Sequence, residues 1–400
     1  MKRIVVFSLN YYPFVGGAEV AIREITNRIS SDEIEFHLIA YRFNSELSET
    51  ERIGNVIVHR IGIGKRGATV ADSFNALAYL GKIAYIPLAA LKALELHRRH
   101  PFNGAWAMMS YMVFPIVLMR MAGKRIPYLI TLQEGDPFEH VFSRWHIRFV
   151  LPLLRYGFSH ASTVQAISTF LGTWAAKFGF KGMLQIVPNG VDVSRFTVPP
   201  PKEVEQARRA LGKADSDVFL VTTSRLVHKN GIDTVIRAMP HLPDHTTFLI
   251  YGDGPEERHL RMLAEELHVA SRVRFMGQIS HKALPATLAA CDIFIRPSRS
   301  EGMGNSFIEA MAAGVPVIAT QVGGISDFLF DKRLDAEHEP TGWAIQPETP
   351  KDIAEAVSYI LSNEDERRNI IENARRLVMD TYDWDHIATK MRLIFLNLVK

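Results

Sequence analysis

Short apolar segments alternate with amphipathic ones along almost the whole chain, in two series separated by three consecutive prolines. In the first series IVVFSL, FHLIAY, VIVHRI, AWAMM, YLITL, STVQAI and LQIVP read as strands, each short and rich in branched or aromatic residues. In the second, FLVTTS, TFLIYG, VRFMG, DIFIRP, PVIAT and GWAIQ do the same. Continuously apolar strands need cover on both faces, and the intervening helices supply it, which predicts parallel sheets. Two such series predict an α/β protein of two doubly wound domains. Pro199, Pro200 and Pro201 continue neither a strand nor a helix interior, so the linker is placed at about 195–203. The first domain then covers 1–198 and the second 203–382; the strongly helical segment 383–400 could fold back onto the first.

The bulk numbers exclude several classes. With 400 residues, 47% hydrophobic and 22% charged, the chain has enough apolar material for two cores and is not a disordered segment. Its single cysteine, Cys291, allows no disulfide framework; within LAACDIFI it reads as a small buried hydrophobe, and a reducing, cytoplasmic compartment fits. The start, MKRIVVFSLNYYPF, has too short an apolar run for a signal peptide and reads as a first strand. The apolar region 75–96 is broken by Lys82, Pro87, Lys92 and Glu95 and fails as a membrane span. Residues 1–195 hold 22 Lys/Arg against 14 Asp/Glu, a net of +8, whereas the remainder is net −5. A basic half suits an anionic partner, and uneven surface charge with no partner explains it equally.

Three glycine-bearing loops fall where strands give way to helices. Gly16-Gly17 precedes an amphipathic helix, an arrangement that lets backbone N–H groups approach a phosphate, or simply makes a tight turn. SRLVHKNGID, at 224–233, puts Arg225 and Lys229 at a strand's carboxyl end, where ligands of doubly wound sheets bind. A guanidinium and an ammonium there suit a diphosphate better than they suit two solvated surface positions. The third loop, RPSRSEGMGNSF, carries Glu301, Gly302, Met303, Gly304, Asn305 and Ser306 ahead of a helix expected from about Asn305 to Ala313. The open N–H groups at that helix start make an anion site. Glu301 precedes the helix and Glu309 lies in its second turn, so one carboxylate reaches a sugar while the other reaches a ribose, whose vicinal hydroxyls a carboxylate accepts. Arg296 interrupts an apolar strand, so it either pairs with a buried carboxylate or points into a cleft.

EGMGNSFIE, followed by AMAAGVPVIAT and VGGI, resembles the signature of family-four retaining glycosyltransferases of the GT-B fold. Pro13 with Gly16-Gly17-Ala18-Glu19, Pro188-Asn189-Gly190-Val191-Asp192, Ser224-Arg225-Leu226-Val227 and Gly252-Asp253-Gly254-Pro255 are similar to its other landmarks, in the expected order and over almost the whole chain. The resemblance implies two Rossmann-like domains facing across a cleft. It implies that Arg225 and Lys229 neutralise the donor diphosphate, that backbone groups around Gly304, Asn305 and Ser306 hold phosphate, and that Glu309 holds the ribose. Glu301 with Gly302 and Met303 would contact the donor sugar, Met276 and its neighbours would flank the base, and Gly16-Gly17 would approach the diphosphate from the acceptor side. The chain departs from the pattern twice. Asn230 stands where the lysine of the Arg…Lys-Gly motif is common, with Lys229 one place earlier, and Gln133 stands where a histidine is common. Asp136 becomes the candidate polar group facing the sugar, with Glu134 and His140 behind it; an N-cap role ahead of PFEHVF is the plain alternative for Asp136.

The resemblance implies transfer of a hexose from a UDP- or GDP-linked donor to a glycan or lipid-linked acceptor with retention, as in cell-surface polysaccharide or glycolipid synthesis. Fixed cations and a helix N-terminus would stabilise the leaving diphosphate, so neither a metal nor another cofactor is expected. Asp215-Ser216-Asp217 and Asp383-Trp384-Asp385 read as surface turns or caps, not metal motifs. Residues 144–156 put Trp145, Phe149, Leu153 and Tyr156 on one helical face beside Arg144, Arg148 and Arg155. Such a helix can lie on an anionic membrane surface, placing the protein at the inner face of the plasma membrane, or can pack on its own domain. No aromatic-basic motif supports a nucleic-acid partner. An epimerase of the same architecture and a non-catalytic sugar-nucleotide-binding protein are the competing readings.

Overall fold

A computed structural model describes residues 1–68, 76–142, 145–196 and 199–400. Arg144, the Trp145 and His140 side chains, and 197–198 of the expected linker lie outside the described residues. The chain divides into two compact units, Met1–Asn189 with Trp384–Lys400, and Gly190–Asp383.

In the first unit the strands are β1 (Lys2–Phe7), β2 (Ile34–Tyr41), β3 (Thr50–Ile53), β4 (Val56–Ile61), β5 (Gly104–Met108), β6 (Tyr128–Leu132), β7 (Thr163–Ala166) and β8 (Met183–Ile186). They form one sheet in the order β3-β4-β2-β1-β5-β6-β7-β8. Every neighbouring pair is parallel except β3 and β4. The strand β3 is absent from the sequence reading because TERI is polar and only four residues long. Its signal is the Gly54-Asn55 pair ahead of VIVHRI, a two-residue hairpin turn with Gly54 at φ 59°. All five residues of β5 and of β6 are buried, as strands covered on both faces must be.

The second unit holds β9 (Val218–Thr223), β10 (Thr246–Tyr251), β11 (Val273–Gly277), β12 (Ile293–Arg296), β13 (Val317–Ala319) and β14 (Trp343–Ala344), parallel in the order β11-β10-β9-β12-β13-β14. Both units are doubly wound and Rossmann-like. Strand order reverses on either side of β1 in the first sheet and of β9 in the second. Ligands of such sheets bind outside the carboxyl ends at these switch points, between β1 and β5 and between β9 and β12.

The terminal helix Trp384–Leu398 completes the first unit. Phe395, fully buried, meets Trp106 of β5 at 5.0 Å and Phe36 of β2 at 5.4 Å between ring centroids. Asp385 pairs with Arg28 at 2.6 Å, and Arg392 pairs with Glu33. The helix Trp145–Ser159 runs through Pro152 and buries Leu154 and Phe158, leaving Phe149 78% exposed and Tyr156 on the outer side. Among the described residues no helix is long and apolar enough to cross a membrane. Cys291 is buried and donates to Thr287 O at 3.3 Å.

Candidate functional site

The loops that follow β9 and β12 leave the second sheet side by side at its switch point. Arg225 is exposed and Lys229 half-buried on the first of them. Asn230, the departure from the family pattern, is buried and donates its side-chain amide to Arg225 O at 2.6 Å, fixing the loop from within. Arg299, on the second loop, holds the same turn from outside. Its guanidinium donates to His228 O at 2.7 Å and to Asp233 at 2.8 Å through both nitrogens, and its backbone N–H donates to Lys229 O at 2.7 Å. Burial opposes the charge on Asp233, yet its bonds with Arg299 outweigh that and hold the carboxyl below its usual range.

The structure decides the place of Arg296. It pairs with a carboxylate: Nη2 donates to Glu301 Oε2 at 2.9 Å, and Nη1 to Ser306 Oγ at 2.7 Å and Thr223 O at 3.3 Å. The guanidinium lies over the Phe307 ring, 4.1 Å from its centroid. Burial lowers the hold of Arg296 on its proton, while Glu301 and Glu309 raise it; an arginine stays cationic regardless. Glu301 therefore enters the site already ion-paired, with its second oxygen accepting from Gly302 N at 3.2 Å.

The helix after the loop runs Asn305–Ala312, with Gly304 at its N-cap. At Gly304 φ is 89°, and a Cβ would stand 2.6 Å from the Phe307 ring and 2.8 Å from Arg296 Nη2, so only glycine fits. Gly323, in VGGI, meets the loop from the other side: its φ is 60°, and a Cβ would sit 2.0 Å from Glu301 O. Phe307, Ile308 and Met311 are buried, which leaves Glu309 half-buried on a packed helix. Burial pushes the Glu309 carboxyl up to about 7, against the pull of Arg296 and Arg195. Around these strand ends the hydroxyls of Thr222, Thr223, Ser224 and Ser298 are buried without a hydrogen-bond partner among the described residues. Such groups are what a bound polar ligand or water satisfies. Met276 is exposed on β11, the outer strand, two strands from β9.

In the first unit Gly16 and Gly17 are exposed after β1, and the helix Gly17–Asn27 starts there. Gly16 N donates to Glu19 Oε2 at 2.7 Å. Glu19 is buried, and burial pushes it up to about 7 despite its bonds from backbone N–H groups. Beyond β6, Asp136 is exposed, while Glu134 is buried and accepts from Ser110 N at 2.7 Å and Gln133 N at 3.0 Å. Gln133 exchanges side-chain amide bonds with Asn189. The structure thus gathers Arg225, Lys229, Glu301, the 302–306 loop and Glu309 on one sheet's switch point, with Met276 at its edge; Gly16, Gly17 and Asp136 belong to the other unit. Of the two alternatives the sequence left open for Arg296, the structure shows the pairing with a carboxylate, Glu301. The clamp made by Arg299 was not read from the sequence, because nothing local announces its partners.

Residues 203–377 match the family model described as glycosyl transferases group 1, and residues 15–195 match that of glycosyltransferase family 4. A GDP-mannose-dependent alpha-(1-6)-phosphatidylinositol monomannoside mannosyltransferase of Mycobacterium tuberculosis is 32% identical over 258 residues, 60% of this chain and 64% of that protein's length. An N-acetyl-alpha-D-glucosaminyl L-malate synthase of Bacillus anthracis is 24% identical over 97% of this chain and 96% of its own. Among solved structures, sucrose-phosphate synthase of Thermosynechococcus elongatus superposes with a TM-score of 0.83 at 19% identity, covering 100% of this chain and 99% of its own. HepE of Anabaena, in complex with UDP-glucose, gives 0.77 at 20% identity, covering 99% and 100%. At these identities the structural likeness establishes the fold.

Proposed function

The chain belongs to the family-four glycosyltransferases of the GT-B fold, and from that premise we propose that it transfers a hexose from a UDP- or GDP-linked donor to a glycan or lipid-linked acceptor with retention. The observation that carries the proposal is the β9/β12 switch point, where two cations, a helix N-terminus and two carboxylates meet. In this reading Arg225 and Lys229 neutralise the diphosphate, and backbone N–H groups of 302–306 bind its oxygens. Glu309 accepts from the ribose hydroxyls, Met276 flanks the base, and Glu301 accepts from the donor sugar. Leaving-group charge develops on the diphosphate, which fixed cations and helix dipole stabilise without a metal. Glu301, already paired with Arg296, acts as an orienting and charge-stabilising group, and the acceptor hydroxyl attacks on the face the leaving group vacates. In the first unit the backbone at Gly16-Gly17, whose Gly16 N–H is taken by Glu19, is assigned to approach the diphosphate from the acceptor side, and Asp136 is the polar group assigned to the sugar.

The mannosyltransferase relative is described as acting on a phosphatidylinositol mannoside, and HepE was solved with UDP-glucose. Both support a nucleotide-sugar donor here, and the former supports a lipid-linked acceptor. The exposed Phe149 and Tyr156 beside Arg148 and Arg155 support peripheral binding to an anionic membrane at the cytoplasmic face. A panel of UDP-, GDP- and ADP-sugars scored by binding and nucleotide release tests the central reading, which fails if none binds. Flotation with anionic vesicles tests the membrane reading.

A further inference from the structure

Arg296 ends a strand that is otherwise apolar, Ile293-Phe294-Ile295, and its side chain is 5% exposed. Burying a guanidinium is costly unless its donors are matched, so its partners show what the site requires of it. Nε is buried without a partner among the described residues and Nη1 also reaches Thr223 O at 3.3 Å, but the two side-chain partners are the ends of one short loop. Nη2 holds Glu301, the residue before the loop's glycines, and Nη1 holds Ser306, in the first turn of the helix beyond them. The Phe307 ring at 4.1 Å fixes the plane of the fork, and Gly304 passes so close to Nη2 that a side chain there would displace it. One rigid planar group therefore sets the spacing between a carboxylate and a helix N-terminus. Glu301 keeps lone pairs for a ligand: Oε2 accepts from Arg296 and Oε1 from Gly302 N, and an ionised carboxylate has about four acceptor positions.

We propose that Arg296 is a positioning residue for glycosyl transfer, aligning Glu301 with the donor sugar through a fork whose other arm is anchored on Ser306, while touching no substrate itself. The proposal rests on the reading of 301–306 as the donor loop. A lysine would keep the charge and lose the fork, because an ammonium is a point charge on a flexible stem.

The test compares wild type, Arg296→Lys, Glu301→Gln and the double variant by steady-state kinetics, using the nucleotide sugar selected by the donor panel. Arg296→Lys is expected to leave donor KM within about threefold and to lower kcat about 30-fold. In the Glu301→Gln background the same change is expected to cost less than about threefold in kcat, because the group being positioned is gone. An equal kcat loss in both backgrounds, or a raised KM at unchanged kcat, overturns the proposal. If Arg296→Lys does not fold, Arg296→Met combined with Glu301→Gln removes both charges; it is expected to fold and match the kcat of Glu301→Gln alone, and a further loss overturns the proposal. Donor binding by wild type separates the two ideas: no binding of any nucleotide sugar sinks the donor reading, whereas binding with the wrong kinetic split sinks only the role of Arg296.

Discussion

Arg299 grips Asp233 with two parallel bonds of 2.8 Å, Nη1 to Oδ1 and Nη2 to Oδ2, and so ties the loop after β12 to the helix that follows the Lys229 turn. The same guanidinium reaches His228 O, so the turn carrying Lys229 is held from its start to its end. Removing one partner leaves the other poorly solvated, at a cost of about 1–3 kcal/mol. Asp233→Ala is therefore expected to lower the melting temperature and, by freeing the turn, to weaken nucleotide-sugar binding about tenfold. Unfolding scans and donor titration measure the two effects; unchanged donor affinity would show that Lys229 needs no clamp.

This clamp shows where the sequence stops being informative. Period and composition exposed thirteen strands, because a covered parallel strand must be apolar along its length, and they exposed the loops after β1, β9 and β12. The pairing of Arg299 with His228 spans 71 positions and has no local signature. Arg296 was visible as an anomaly, yet its partner depended on the turn made by 297–301. The strand β3 was lost because an edge strand with exposed residues need not be hydrophobic. The passage from the first unit falls at Asn189–Gly190, ahead of the proline triplet, because Val191 N is bonded to Tyr382 O of the second unit.

Glu309 carries the clearest pH dependence. Burial raises its carboxyl from 4.5 to about 7. Ribose hydroxyls donate to the ionised form, whose fraction falls about tenfold between about pH 8 and about pH 6. Donor affinity is expected to weaken by up to that factor over the same range, and Glu309→Gln is expected to bind weakly with no such slope. Calorimetric titration across the range decides it; a flat wild-type profile removes the charged carboxylate from ribose binding.

Glu19 makes a separate prediction about stability. Its folded value, about 7, exceeds the ordinary 4.5, so the group favours folding most below about pH 4.5, and that contribution is lost as pH rises through about 7. Glu19→Gln keeps an acceptor for Gly16 N and removes the buried charge. The variant is expected to be more stable than wild type at about pH 8, by up to about 3 kcal/mol, and to converge with it only below the ordinary carboxyl value, near about pH 4. Thermal melts without substrate at the two pH values test this, and a difference independent of pH contradicts it.

The terminal helix supplies the last prediction. Phe395 is fully buried between Trp106 and Phe36, which lie on β5 and β2 on either side of the central strand β1. An aromatic ring lost from such a place leaves a cavity costing about 3–5 kcal/mol. Phe395→Ala is therefore expected to destabilise the first unit, with hydrogen exchange rising in β1, β2 and β5, while β9 and β12 of the second unit keep their protection. Exchange that rises equally in both sheets would mean that the units unfold together and that the helix is not specific to the first. Confined loss would show that residues at the far end of the chain, after an entire second unit, finish the core that Lys2–Phe7 begins.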